Sequence, residues 1–218
     1  MTARHVTILD YGVGNLRSVA RAFEVSGASP ELAETPGQAA RAERLVIPGV
    51  GAFRSCVDAL RAAGFEDVVR EVVTARERPV LGICVGMQML FDGSEEFGQQ
   101  PGLGLLPGIV AGIPRVDAAG NRRKVPHIGW SPLQPPDART GDGWKGTVLG
   151  ETAPGTDVYF VHSFSARPTD ASDVLAVTDY AGYEICAAVR HENLCGVQFH
   201  PEKSGPSGLQ IIRSFLSL

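Results

Sequence analysis

The sequence lacks the marks of several specialised classes. No apolar run reaches the ~18 residues that a membrane-spanning helix needs. The opening MTARHVTILD has too short an apolar stretch for a secretory signal. The four cysteines, at 56, 84, 186 and 195, are never spaced as CxxC, which argues against a zinc cage or a disulfide framework. Positive charge is not in excess. A formal charge of −4 argues against non-specific binding to nucleic acid or to an acidic membrane. Internal repeats, linkers and low-complexity blocks are also missing. What is left is 218 residues, 44% hydrophobic and 20% charged, an ordinary composition for a soluble globule. That length can bury one large core. The expectation is one cytoplasmic domain over residues 1–218, with reduced thiols and no nucleic-acid or membrane partner.

The first half alternates strand and helix signals. The strands are read at HVTILD (5–10), RLVIP (44–48) and RPVLGIC (78–84). Helices are read at 16–25, around 53–63, and from Val85 to about Phe91. Strand–helix alternation with short loops means βαβ crossovers and a parallel sheet covered on both faces. From Gly93 to Gly155 the chain is rich in Gly, Pro and Asp and reads as loops with short antiparallel strands. Further strands are expected at 157–164, 173–180, 185–190 and 194–199, the last three as a meander. SGLQIIRSFLSL closes as an amphipathic helix, with Leu209, Ile212, Phe215 and Leu216 on one side. The fold class is α/β: a central, mostly parallel sheet, flanking helices and an antiparallel C-terminal meander.

GICVGMQML (82–90) puts Cys84 between two glycines where a strand meets a helix. A sharp strand–helix turn forces its apex residue into strained backbone angles, and flanking glycines let neighbouring backbone pass. Hydrolases with a G-x-S-x-G elbow expose a nucleophile this way. The start of the following helix aims unpaired N–H groups at the sulfur. A buried structural cysteine is the competing reading.

A nucleophilic thiol needs a base and a group to orient that base. His200 ends a strand signal in CGVQFHPEKS, and Pro201 biases it toward extended backbone. Residues i and i+2 of extended chain face the same way, so Glu202 projects beside His200. His5 and His191 have no comparable carboxylate, and His127 and His162 are read as structural. Oxyanion donors are also required. The N–H of Val85 is one candidate, and the glycine-rich turn IPGVGAF (47–53) offers another. Two signals are set aside. DYGVGNLRS has Arg17 where a dinucleotide fingerprint needs its third glycine. NRRK (121–124) is short enough to be a solvated turn.

Taken together, PGVGAF, GICVGMQMLF and GVQFHPEKS, in this order over nearly the whole chain, resemble the class I (triad-type) glutamine amidotransferases. DYGVGNLRS, VPHIGW (125–130) and YFVHSF (159–164) resemble the branch of that family that serves imidazole glycerol phosphate synthesis. No catalytic position departs from the family pattern. The resemblance implies a flavodoxin-like fold, L-glutamine as substrate, and neither metal nor cofactor. It implies Cys84 as nucleophile, His200 as base and acid, and Glu202 as its orienter. It puts the oxyanion hole at the backbone of Gly51 and Val85. Gln88 and Glu96 would hold the glutamine head group, and the backbone of Ser163 and Phe164 its main-chain atoms. Trp130 and Lys203 would face a partner, for which local core packing is the alternative at Trp130. That partner is a cyclase subunit, a (β/α)₈ barrel forming a heterodimer with this chain and taking ammonia to convert the nucleotide PRFAR to imidazole glycerol phosphate and AICAR. Competing readings are a glutaminase serving another synthase, a stand-alone cysteine hydrolase or peptidase, and a silent scaffold. Intact Cys84, His200 and Glu202 count against the last.

Overall fold

The computed structural model describes residues 4–75, 77–117, 119–136 and 143–218. The first three residues of the opening, and 137–142 of the stretch read as loop, lie outside the described residues. In chain order, β1 (Arg4–Leu9), α1 (Leu16–Val25), β2 (Ala28–Ala33), α2 (Pro36–Ala39) and β3 (Leu45–Ile47) come first. Helices α3 (Phe53–Ala62) and α4 (Phe65–Thr74) precede β4 (Val80–Ile83), which turns into the single-turn helix α5 (Val85–Gln88). Next are β5 (Phe91–Ser94), β6 (Gln100–Pro101), β7 (Leu106–Gly112), β8 (His127–Pro132), β9 (Asp157–His162) and β10 (Phe164–Pro168). The run β11 (Val174–Asp179), β12 (Glu184–His191) and β13 (Leu194–Val197) leads to α6 (Gly205–Leu216).

The main sheet has the order β11-β12-β13-β4-β3-β1-β2. β13, β4, β3, β1 and β2 pair in parallel, and β11-β12-β13 form the antiparallel meander read from the sequence. Strands buried on both faces need continuous apolar runs. Leu45-Val46-Ile47 and Val80-Leu81-Gly82-Ile83 supply them and are buried throughout. α1 buries Val19, Ala22 and Phe23, the spacing of one helical face. Phe23 meets Phe215 of α6 edge-on at 6.2 Å. β10-β7-β5-β6 make a second sheet, and β8-β9 a separate antiparallel pair.

Register puts the site together. Ile47 at the end of β3 pairs with Gly82 of β4, and Val197 at the end of β13 pairs with Ile83. Three neighbouring parallel strands therefore end side by side. Their carboxyl ends deliver the turn 48–51, Cys84 and the segment 198–200 to one place, where open α/β sheets bind ligands.

Three expectations are corrected. The helix after Cys84 does not run to Phe91: it lasts one turn, and Phe91 opens β5. The run 157–164 is two strands broken at Ser163, one paired with β8 and the other with β7. NRRK is not simply a solvated turn. Arg123 is buried, with its guanidinium donating to the carbonyls of Pro114, Val116, Tyr180 and Ala181. Three elements of the first half have no counterpart in the reading from sequence, among them the four-residue α2. β2 (ASPELA) carries a proline and is largely exposed at the sheet edge, so it shows no apolar alternation. α4 is rich in valine, which blurs strand and helix signals.

Gly86 tests the packing. A Cβ there would lie 1.9 Å from the Ile47 carbonyl oxygen, whereas one on Gly37, in α2, would meet nothing within 4 Å. Gly86→Ala is expected to cost about 3 kcal/mol or more, the upper end for overpacking, and Gly37→Ala to be near neutral. Denaturant midpoints measure both. Equal midpoints would show that the β3 and β4 turns are not in contact.

Candidate active site

Cys84 sits at the apex between β4 and α5 with φ 55° and ψ −111°. A side chain at that φ is strained and persists only where its surroundings over-determine it. Here they do. A Cβ on Gly82 would meet the Gly86 carbonyl oxygen and the Met87 nitrogen at 2.7 Å, so the elbow closes only around glycines. The Cys84 N–H donates to the Val197 carbonyl at 2.8 Å, tying the apex to β13.

His200 is buried with extended backbone, φ −101° and ψ 99°. Its N–H donates to the Tyr159 carbonyl at 2.9 Å. The Ser204 hydroxyl accepts from the Tyr159 N–H and donates to the His200 carbonyl, which stitches this turn to β9. Glu202 Oε1 lies 2.7 Å from His200 Nδ1. Strand alternation is not the cause of that pairing, because Pro201–Lys203 is a single 3₁₀ turn that folds the carboxylate back onto the ring. Burial alone would lower the His200 pKa. Interaction with the Cys84 sulfur and with the Glu202 carboxylate, and the negative charge these carry, outweighs it and pushes it up to about 9.

The other expected residues surround the same cavity, about 390 Å³ in volume. Gly51, Val85, Gln88, Glu96, Ser163, Phe164 and Lys203 all line it. The N–H groups of Gly51 and Val85 have no acceptor among the described residues. Gly51 has φ +90°, but Gly49 does not need left-handed backbone: a Cβ there would strike the Gly86 nitrogen at 2.4 Å. Close packing, not conformational freedom, requires that glycine. The turn is also held by side chains. The Tyr11 hydroxyl donates to the Pro48 carbonyl, and the Cys56 thiol to the Val50 carbonyl at 3.2 Å. Glu96 Oε2 accepts from the Phe53 N–H at 2.6 Å, at the start of α3. The carbonyls of Ser163 and Phe164 are both occupied, the first by the Ile113 N–H and the second by Gln88 and His162.

Trp130 is not in the core. It is 55% exposed on β8 and meets Tyr159 edge-on at 6.1 Å. Lys203 Nζ lies 6.0 Å from the centre of the same tyrosine ring, so it reaches from the cavity toward Trp130. Ile128, two residues before Trp130, is also exposed.

The remaining histidines separate cleanly. His191 pairs with Asp173 at 2.9 Å, away from the cavity. His127 and His162 are opposite each other in the β8–β9 register, with Nδ1 of the first 3.1 Å from Nε2 of the second. Burial pulls them down to about 4 and about 3, so both are neutral. His127 also lies between the rings of Tyr180 and Phe160. Gln198 was not foreseen. Its side chain contacts both Gln88 and the Cys84 sulfur. The signal was present, since the i, i+2 rule that points from His200 to Glu202 also points back to Gln198.

All four cysteines are buried, and only Cys84 lines the cavity. Burial pushes Cys56 and Cys195 up to about 11 and Cys186 up to about 12.

Comparisons with known proteins agree on one family. The model for glutamine amidotransferase class-I matches residues 7–217. The imidazole glycerol phosphate synthase subunit HisH 1 of Legionella pneumophila (strain Lens) is 46% identical over 213 residues, covering 98% of this chain and 99% of that protein. The HisH subunit of Syntrophotalea carbinolica is 46% identical over 212 residues, covering 96% and 98%. The solved structure of PurLQS from Thermotoga maritima superposes with a TM-score of 0.72 at 20% identity, covering 99% of both chains, a likeness of fold.

The raised His200 pKa has a readable sign. Its folded value of about 9 exceeds the ordinary 6.5. Its contribution to stability is therefore complete below about pH 6.5 and lost as pH rises through about 9. NMR titration of the His200 ring should give a midpoint near 9, and Cys84→Ala should bring it down by removing the sulfur partner. An ordinary histidine midpoint in the unaltered chain would contradict this electrostatic picture.

Proposed function

The chain belongs to the class-I glutamine amidotransferase family, and from that premise we propose that it is the glutaminase subunit of an imidazole glycerol phosphate synthase. The observation that carries the reading is Cys84 held at φ 55° against a His200–Glu202 pair, in a chain 46% identical over 98% of its length to a subunit of that synthase. Residues 1–218 act as one glutaminase domain.

The reaction follows from the parts. Cys84 sulfur attacks the side-chain amide carbon of L-glutamine. Charge that gathers on the amide oxygen meets the N–H groups of Gly51 and Val85. His200, held as imidazolium, gives its proton to the departing nitrogen, and ammonia leaves. The neutral ring then takes a proton from water as water attacks the glutamyl thioester, releasing glutamate and restoring the starting pair. Glu202 keeps the ring in the orientation that serves both steps. Gln88 uses its amide N–H groups internally, so it offers the glutamine head group its Oε1. With one Glu96 oxygen at Phe53, the other supplies a second acceptor, a pairing suited to an α-ammonium group. Since the Ser163 and Phe164 carbonyls are occupied, main-chain pairing with substrate falls to N–H groups of that segment.

Ammonia passes to the cyclase, a (β/α)₈ barrel that joins this chain in a heterodimer and turns PRFAR into imidazole glycerol phosphate and AICAR. On this reading Trp130 and Lys203 belong to the face that meets the cyclase, which the exposure of Trp130 supports.

The test is glutamine hydrolysis by the purified chain alone, with the cyclase, and with cyclase plus its nucleotide. We infer further that the cyclase completes the oxyanion hole by turning one N–H, that of Gly51 at φ +90°, into place. The expected outcome is slow turnover alone and a rise of about 10²–10³-fold in the full assembly, the worth of one such donor. Cys84→Ala and His200→Ala should abolish that activity without loss of cyclase binding, and Glu202→Gln should retain some. A glutamine-like electrophile should label Cys84 only. Labelling elsewhere, or equal turnover in all three mixtures, would overturn the reading.

A further inference from the structure

The orientation of the buried Gln198 amide is fixed by its neighbours. A carbonyl oxygen can only accept. The Phe164 carbonyl takes Gln88 Nε2 at 3.0 Å, so the nitrogen of Gln88 lies on that side. The same nitrogen reaches the Gln198 side-chain oxygen at 2.9 Å. With its oxygen committed there, Gln198 turns its nitrogen to Cys84 Sγ, 3.6 Å away. Gln198 is fully buried, and its own N–H donates to the Ala187 carbonyl at 2.9 Å. It follows β13 directly and has no room to turn aside. The sulfur thus has an amide N–H as a hydrogen-bond partner, besides its electrostatic interaction with the His200 ring.

We propose that Gln198 is a catalytic residue: its amide N–H holds the Cys84 sulfur and favours the thiolate, while its oxygen anchors Gln88 at the substrate cleft. This rests on Cys84 being the nucleophile of the proposed reaction. An N–H donor binds an anionic sulfur more strongly than a neutral thiol. Stabilising a thiolate also makes it intrinsically less reactive, by roughly threefold for each tenfold gain in ionisation. The two effects oppose each other, and their balance changes with pH. Where the sulfur is only partly ionised the gain in thiolate wins, and where it is fully ionised only the loss remains.

That reversal is the test. Alkylation of Cys84 by iodoacetamide, followed by peptide mass from acid to alkaline pH so that both limb and plateau are covered, is compared with Gln198→Leu and Gln198→Glu. Gln198→Leu is expected to react more slowly on the rising limb of the profile, about threefold for each tenfold loss of thiolate, and to overtake the unaltered chain on the plateau. Gln198→Glu keeps an acceptor for Gln88 but faces the sulfur with a carboxylate oxygen, and is expected to be slower still on the rising limb. Thermal melting checks that each variant is folded, and if Gln198→Leu is not, Gln198→Glu decides. Profiles that overlay that of the unaltered chain would overturn the proposal. Iodoacetamide needs no glutamine, so the two readings fail separately. A reversal in a chain that hydrolyses no glutamine with its cyclase would keep the Gln198 assignment and remove the glutaminase. Cyclase-dependent hydrolysis with overlaid profiles would do the opposite.

Discussion

Backbone packed directly on backbone at the β3 and β4 turns is the constraint on which the rest depends. Gly86 lies under the Ile47 carbonyl, Gly49 lies against the Gly86 nitrogen, and Gly82 lies under the turn that follows it. No side chain larger than hydrogen can stand at these three contacts. Their closeness holds Cys84 at φ 55°, a conformation that costs on the order of 1–3 kcal/mol. Fully buried strands on either side offset that cost, since β4 is hydrogen-bonded to both β3 and β13. A looser elbow would relax the cysteine backbone and withdraw the sulfur from His200 and Gln198 together.

A second organising element is the carbonyl of Phe164. It accepts from Gln88 on one side and from His162 Nδ1 on the other. Because that oxygen is only an acceptor, the polarity of both branches follows. In the first branch Gln88 donates to Gln198, whose nitrogen then faces sulfur. In the second, His162 must present Nε2 as an acceptor, His127 donates to it from Nδ1, and the Ser131 hydroxyl donates to His127 Nε2. Each side chain of these two branches has a partner, the condition under which a polar network specifies one arrangement. The break at Ser163 between β9 and β10 turns this carbonyl inward, which is why a run that reads as one strand is two.

Local chemistry made much of this legible. The glycine pair around Cys84 announces an elbow because no other residue fits there. The apolar runs at 45–47 and 80–83 announce buried parallel strands, and the three short β-rich runs before α6 announce a meander. The rest depended on partners far apart in sequence. Arg123 looks like surface charge until two nearby carbonyls, of Pro114 and Val116, and two from the distant turn at Tyr180 and Ala181 converge on it. Gln198 looks like an ordinary polar residue until Gln88, 110 positions earlier, fixes its oxygen. The His200–Glu202 pair was foreseen, but from strand alternation, whereas a 3₁₀ turn achieves it.

Three histidines lie near the cavity, and their surroundings divide the work. Burial keeps His127 and His162 neutral at about 4 and about 3, and the charge on His200 presses His162 further down. His200 is as enclosed as they are, but it alone faces groups that can carry negative charge, and these hold it up near 9. Around neutral pH one ring is therefore charged and the other two serve as fixed donors and acceptors. Environments that push titrating groups apart assign acid and base roles without changing residue type. On the proposed reading, this is why the proton that ammonia carries away comes from His200, although His162 lines the same cavity. His162 has no proton to give: its one N–H already belongs to the Phe164 carbonyl.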